Sequence, residues 1–278
     1  MIKKIICPVD FSEAATNAAE YAAKLAQILH AEVLLINIER IIPAAVAVSL
    51  GEGIGADSRE NSRIASKRLR EMSDDVNKMF KISSSYEVDI TTQSLSTVLS
   101  AAGNERSMIV MGTNGIDNLS QFLFGTNTYN VIRKAECPVL LVPEKFSYGT
   151  YKNLLYAFTY EEKGRLALNQ FYEFAKHFKA KITFLHISKK DTNISRDIFR
   201  ASKEEIEKCF NGKEDLDFKR VFSDDVAEAI DQFMVEHQAD MLVMAAHHRN
   251  LIEALFTKAP LMAGLSVTAY YPILVFHT

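Results

Sequence analysis

The sequence predicts an α/β protein of two tandem, doubly wound parallel sheets, each of five strands in the order 3-2-1-4-5 with helices on both faces. Three observations carry that reading. Runs such as Ile5-Ile6-Cys7-Pro8-Val9 and Met108-Ile109-Val110-Met111 are apolar throughout, as strands covered on both faces must be, and they alternate with amphipathic stretches of helical period. A chain of 278 residues with 48% hydrophobic content has room for about two domains, each with its own core. The second half also repeats the first, and a repeat of this length is a domain duplication rather than a solenoid.

The repeat is read directly. Lys4-Ile5-Ile6-Cys7-Pro8-Val9-Asp10 lies against Asn153-Leu154-Leu155-Tyr156-Ala157-Phe158-Thr159, and the same offset runs without a gap to Ile38 and Ile187. Within it Ala19, Ala22, Ala26 and Leu29 face Leu168, Phe171, Ala175 and Phe178, one stripe of a helix in both copies. A second block sets Ser107–Gly112 against Asp240–Ala245, and Pro138–Val142 against Pro272–Phe276. The shorter offset there means that the second copy has lost residues, which we place opposite Arg40 to Ala56. The expected domains are 1–146 and 147–278.

The elements of the first copy follow in order. The opening apolar run makes a strand over 3–9, and the alanine-rich stripe a helix over 13–29. Val33-Leu34-Leu35-Ile36 centres a strand over 32–38. After a long loop, an amphipathic stretch makes a helix over 58–80. A strand over 86–90, a helix over 95–104, a strand over 107–111, a helix over 126–135 and a strand over 138–142 complete the unit. In such a sheet the ligand crevice lies where the strand order reverses, between the C-terminal ends of strands 1 and 4. Those ends carry Asp10 and Gly112.

Composition excludes several classes. The net charge is -3, both halves are slightly acidic, and no basic cluster suggests nucleic acid. No apolar stretch is long enough to span a bilayer, and the opening run is too short for a signal peptide, so the expectation is a cytoplasmic protein without a membrane partner. Cys7, Cys137 and Cys209 are odd in number and widely spaced, which supports neither disulfides nor zinc and reads as small buried hydrophobes. The histidines are scattered without metal-ligand spacing; His186, on a strand, reads as a packed core residue.

From Gly112 the chain reads G-T-N-G-I-D-N-L-S-Q-F-L-F-G-T, placing Gly112, Gly115 and Gly125, three of its 11 glycines, before a helix that Gly125 and Thr126 open. A backbone that approaches phosphate oxygens cannot carry a Cβ, and unpaired N–H groups at a helix start form an anion site. Spacing alone leaves a glycine turn and a phosphate loop both open.

The opening Ile5-Ile6-Cys7-Pro8-Val9-Asp10-Phe11-Ser12, the G-x2-G-x9-G-T loop and the strand Cys137–Pro143 together resemble the universal stress protein family in its tandem form. The resemblance implies an ATP-binding first copy, with magnesium as a companion. It implies that Gly112, Gly115, Gly125, Thr126 and Asn127 contact phosphates and ribose. Pro8, Val9, Asp10 and Ile38 would lie near the adenine with Met111 beneath. Asp10 would face the nucleotide or, through water, the metal; it also suits a helix start beside Ser12. Segment 40–56 borders the same crevice as either a lid or a linker.

The second copy departs from the pattern throughout. Thr159 stands for Asp10, Ala245 for Gly112 and His248 for Gly115, and no Gly-Thr pair recurs near Lys258–Pro260. His247-His248-Arg249 reads as a solvated loop. Three functional classes remain: a nucleotide-dependent stress or regulatory module, a slow ATPase or related adenine-nucleotide enzyme, and an interaction scaffold. Walker, nucleophile-elbow and synthetase motifs are absent, and no cation stands inside the glycine loop, so no catalytic residue is assigned. The closing strands Val139–Val142 and Ile273–Phe276 are expected to pair within the chain, because an open edge invites association. Family likeness adds dimerisation as an expectation.

Overall fold

The computed structural model describes residues 1–41, 58–113, 126–158, 165–210, 215–246 and 271–277. The first copy comprises β1 (Lys4–Pro8), α1 (Glu13–Leu29), β2 (Glu32–Arg40), α2 (Ser58–Phe80), β3 (Ser84–Thr91), α3 (Leu95–Ala102), β4 (Ser107–Thr113), α4 (Thr126–Lys134) and β5 (Val139–Pro143). The second comprises β6 (Asn153–Phe158), α5 (Arg165–Ala175), β7 (Lys181–Ser188), α6 (Asn193–Phe210), β8 (Leu216–Phe222), α7 (Val226–Glu236), β9 (Met241–Ala245) and β10 (Ile273–Phe276). The chain passes from β7 to α6 through 189–192, where the first copy has 41–57 between β2 and α2, which locates the shortening of the repeat.

The strand order in the first copy is β3-β2-β1-β4-β5, and in the second β8-β7-β6-β9-β10, the predicted arrangement twice. The expectation of two separate sheets is corrected in one respect. β5 and β10 pair antiparallel, with Leu141 opposite Ile273 and Val139 opposite Val275, so the two sheets are one sheet of ten strands. Both closing strands are buried to within 1% exposure, so leaving either as an open edge would present an apolar strand with unpaired backbone to water.

The faces are built from alternation. α1 lies on the face of Ile5, Cys7, Val33 and Val110, and its small side chains Ala15, Ala18, Ala19, Ala22 and Ala26 bring its backbone close to the strands. α3 and α4 cover the face of Ile6, Ile36, Ile109 and Met111. α1 starts at Ser12, whose hydroxyl accepts from the Ala15 N–H at 3.2 Å, and ends at His30 in a left-handed conformation (φ 52°). In the second copy aromatic rings fill the α1-equivalent face: Phe184 packs against Phe171, Phe210 and Phe218 with centroids 5.4–6.2 Å apart.

The connection between the copies is bound to α1. The Asn17 side chain donates to the carbonyls of Pro143 and Phe146 at 3.0 Å each, and the hydroxyls of Tyr21 and Tyr151 bond to one another. Tyr148 meets Tyr21 edge-on at 4.9 Å, and Tyr151 meets Phe178 at 4.7 Å. Among the described residues, no helix is long and apolar enough to cross a membrane.

Candidate functional site

β1 lies between β2 and β4, so the C-terminal ends of these three strands adjoin, with Lys4–Pro8 in register with Glu32–Ile36 and Lys4–Ile6 with Ser107–Ile109. This brings Pro8, Val9, Asp10, Ile38, Met111 and Gly112 to one end of the sheet. Ile38 and Met111 belong to the face covered by α4, whereas Val9 belongs to the face covered by α1. Most of the strands' middles are sealed, but Pro8, Ile38 and Gly112 are only half-buried and Asp10 is exposed. Thr126 and Asn127 begin α4. Gly115, Gly125 and segment 42–57 lie outside the described residues, as do Thr159 and the loop His247-His248-Arg249 of the second copy.

The Asp10 carboxylate is engaged at one oxygen. Its Oδ1 accepts from the Ser12 N–H at 3.0 Å and from the Ser12 hydroxyl at 2.6 Å, while that hydroxyl caps α1. Asp10 thus fixes the residue that starts α1. Between them Phe11 is held at φ 65°, a conformation rarely tolerated by bulky side chains, with the Arg68 guanidinium over its ring at 4.0 Å.

Gly112 has a packing reason for lacking a side chain. A Cβ there would stand 2.3 Å from the Ala14 carbonyl oxygen and 2.5 Å from its carbon, so the first turn of α1 occupies the space. Gly112 lies inside β4 and admits α1 against the sheet, a packing role that stands beside the nucleotide contact the resemblance implies.

Sequence reasoning missed Asn37. It is 8% exposed, and its side-chain amide donates to the Val9 carbonyl at 2.7 Å. The signal was present, a single amide inside the apolar strand Val33–Ile38. The equivalent in the second copy is His186, which lies beside Phe158, the counterpart of Val9, in the pairing of β6 with β7. Its ring lies 5.3 Å from Phe158 and 6.1 Å from Phe199, and burial pushes its pKa down, opposed by the Phe158 backbone and reinforced by the charge of Arg220. Two aromatic rings and an imidazole therefore pack at the strand ends of the second copy, where the first has Val9 and Asn37.

The remaining groups are structural. Burial pushes the Cys7 thiol up to about 12 and the Cys137 thiol up to about 11, so both are inert hydrophobes. A groove of about 650 Å³ between α1 and α2, lined by Phe11, Ala19, Met72 and Phe80 among others, includes none of the predicted site residues.

Comparison with known proteins fits this geometry. The model of the universal stress protein family matches the chain twice, over residues 1–143 and 150–258. The chain belongs to the universal stress protein family. Two universal stress proteins of Methanocaldococcus jannaschii are similar to it: MJ0531, 30% identical over 149 residues that cover 51% of this chain and 82% of the relative, and MJ0577, 29% identical over 161 residues that cover 53% and 98%. A universal stress protein from Archaeoglobus fulgidus shares the whole fold, with a TM-score of 0.72 and 15% identity over 99% of this chain and 98% of that one. The tandem arrangement of universal stress protein units in one continuous chain thus extends across both halves.

Proposed function

We propose that this universal stress protein is a nucleotide-dependent regulatory module in which the first copy, residues 1–146, binds one ATP with magnesium and the second copy, 147–278, binds none. The observation that carries the reading is the contrast between the two strand-end clusters. Pro8, Ile38 and Gly112 are only half-buried at the strand ends of the first copy and Asp10 is exposed, whereas Ala157, Ile187 and Ala245, the counterparts of Pro8, Ile38 and Gly112, are sealed at 0%, 6% and 0% exposure. The residues of the first copy fit an adenine nucleotide: apolar Pro8, Val9, Ile38 and Met111 for the base, Asp10 for a polar or metal-linked contact, and the N–H groups at the start of α4 with Gly115 and Gly125 for phosphate. Bound magnesium would supply charge neutralisation at the phosphates.

The glycine loop from Gly112 to Thr126 carries no lysine or arginine to neutralise a transferring phosphoryl group, so the nucleotide acts as a bound signal and is hydrolysed little or not at all. The same reading makes the protein cytoplasmic and capable of homo-oligomer formation, with no nucleic-acid partner. Calorimetric titration with magnesium ATP tests it. One site per chain is expected, weakened by about tenfold to several thousandfold in Gly125→Val as charge-assisted bonds to phosphate are lost, and unaltered in His248→Ala. A stoichiometry near two, or full affinity in Gly125→Val, overturns the assignment.

A further inference from the structure

The helix that follows the glycine loop is held at its far end by the other copy. α4 is nine residues long, short enough that its stability depends on what surrounds it. The last carbonyls of a helix have no partner within it. Here the Val131 carbonyl accepts from the Ala135 N–H at 2.9 Å and the Lys134 carbonyl from the Ser100 hydroxyl at 2.8 Å. The Ile132 carbonyl is met by the His277 ring at 2.6 Å. A carbonyl only accepts, so the ring carries its proton on Nε2. His277 follows β10, the last strand of the second copy, and reaches α4 because β10 runs antiparallel to β5.

The contact has no mirror image. Aligning Pro138–Val142 with Pro272–Phe276 sets Pro143 against His277. Proline carries no side-chain donor, so the first copy cannot return the bond.

We infer that His277 is a positioning residue through which the second copy, whose sequence lacks the glycine pattern, holds the nucleotide helix of the first in its binding-competent form. The inference rests on the nucleotide reading above, since it gives the second copy a part in the affinity of that site. The bond fixes the C-terminal end of α4 and with it the direction of the N–H groups that open at Thr126. The bond needs only the Nε2 proton, which the neutral Nε2–H ring and the charged ring both carry.

The test uses the full chain as wild type, His277→Ala, His277→Gln and Ile230→Val. Glutamine restores a donor, and Ile230→Val trims the buried core of the second copy at α7, leaving the His277 ring and its bond in place. Magnesium ATP affinity is measured by calorimetry, and amide hydrogen exchange is followed over residues 127–134. His277→Ala should bind about threefold to tenfold more weakly, with faster exchange along α4. His277→Gln should recover most of both, and Ile230→Val should lower Tm without changing affinity. Unchanged affinity in His277→Ala overturns the inference, as does an equal loss of affinity in Ile230→Val. If the wild type binds no nucleotide, the nucleotide reading itself fails; the cap is then judged by exchange alone, and unaltered exchange in His277→Ala overturns it.

Discussion

The side-chain amide of Asn37 donates to the carbonyl of Val9 at 2.7 Å, closing the gap between β2 and the end of β1. Val9 is 2% exposed, so its carbonyl has little access to water. Replacing the amide by an apolar group of similar size strands that acceptor, at a cost of about 1–3 kcal/mol. Asn37→Leu should therefore lower stability by that amount in urea titration. A variant as stable as wild type would show that the bond is replaced by water.

Gly112→Ala should destabilise the protein whether or not nucleotide is present. The added methyl meets the Ala14 carbonyl at 2.3 Å, and α1 must shift or β4 must bend, which costs about 1–3 kcal/mol. Thermal unfolding without ligand isolates this effect from any loss of phosphate binding. A wild-type Tm in Gly112→Ala would mean that α1 is free to slide along the sheet.

Asp231 makes one part of the stability depend on pH. Burial raises its pKa to about 6, the hydrogen bond from the Tyr271 hydroxyl (2.5 Å) lowers it, and the charge of Asp225 raises it. The folded protein then binds more protons than the unfolded chain between about pH 4 and pH 6, so this group favours folding as pH falls through that window and opposes it above. Asp231→Asn should gain on wild type above pH 6, by at most about 3 kcal/mol, and the gain should vanish near pH 4. His186 and His277, both shifted down by burial, act with the opposite sign as pH falls below about 6.5. The difference between wild type and variant cancels them. A gain independent of pH would overturn the assignment to ionisation.

Residues 1–146 and 147–278, expressed separately, each expose an apolar strand, Val139–Val142 or Ile273–Phe276, that is sealed in the whole chain. They should associate on mixing or aggregate alone, as size-exclusion chromatography reads directly. Two well-behaved monomers that ignore one another would contradict the continuous sheet.

Hydrolysis of ATP should remain well below about 1 per second, the low end of ordinary turnover. Faster release of phosphate by a contaminant-free sample would reveal a catalytic group not recognised among these residues.

Much of the fold was legible because it rests on local periodicity. The alanine stripe places α1 at the residues observed, and apolar runs mark the strands. Even the pairing of the closing strands follows, because a sheet edge left open invites association. That the pairing is antiparallel, with Leu141 opposite Ile273, was not legible, because alternation along a strand tells which face is buried but not the direction or register of a neighbour. The same limit applies at the site. The missing side chain of Gly112 is visible in the sequence, but the atom that fills the space, the Ala14 carbonyl, comes from another element. Asn37 and His277 make their bonds to carbonyls distant in sequence, Val9 and Ile132, and carry no spacing motif that would announce them.

The join between β5 and β10 has the form of a two-fold axis, yet both partners belong to one chain. In an assembly of identical subunits every residue on one side of such an axis recurs on the other, so no bond can be given without being returned. A single chain is released from that constraint: each side of the axis can drift separately, one retaining glycines and the other acquiring rings, a proline facing a histidine. Dilution cannot separate the partners, because the tether keeps their effective concentration on the order of millimolar. The duplicated chain therefore holds a fixed one-to-one pairing of unlike halves at any abundance, which a mixture of two independently made subunits would reach only when their amounts were matched.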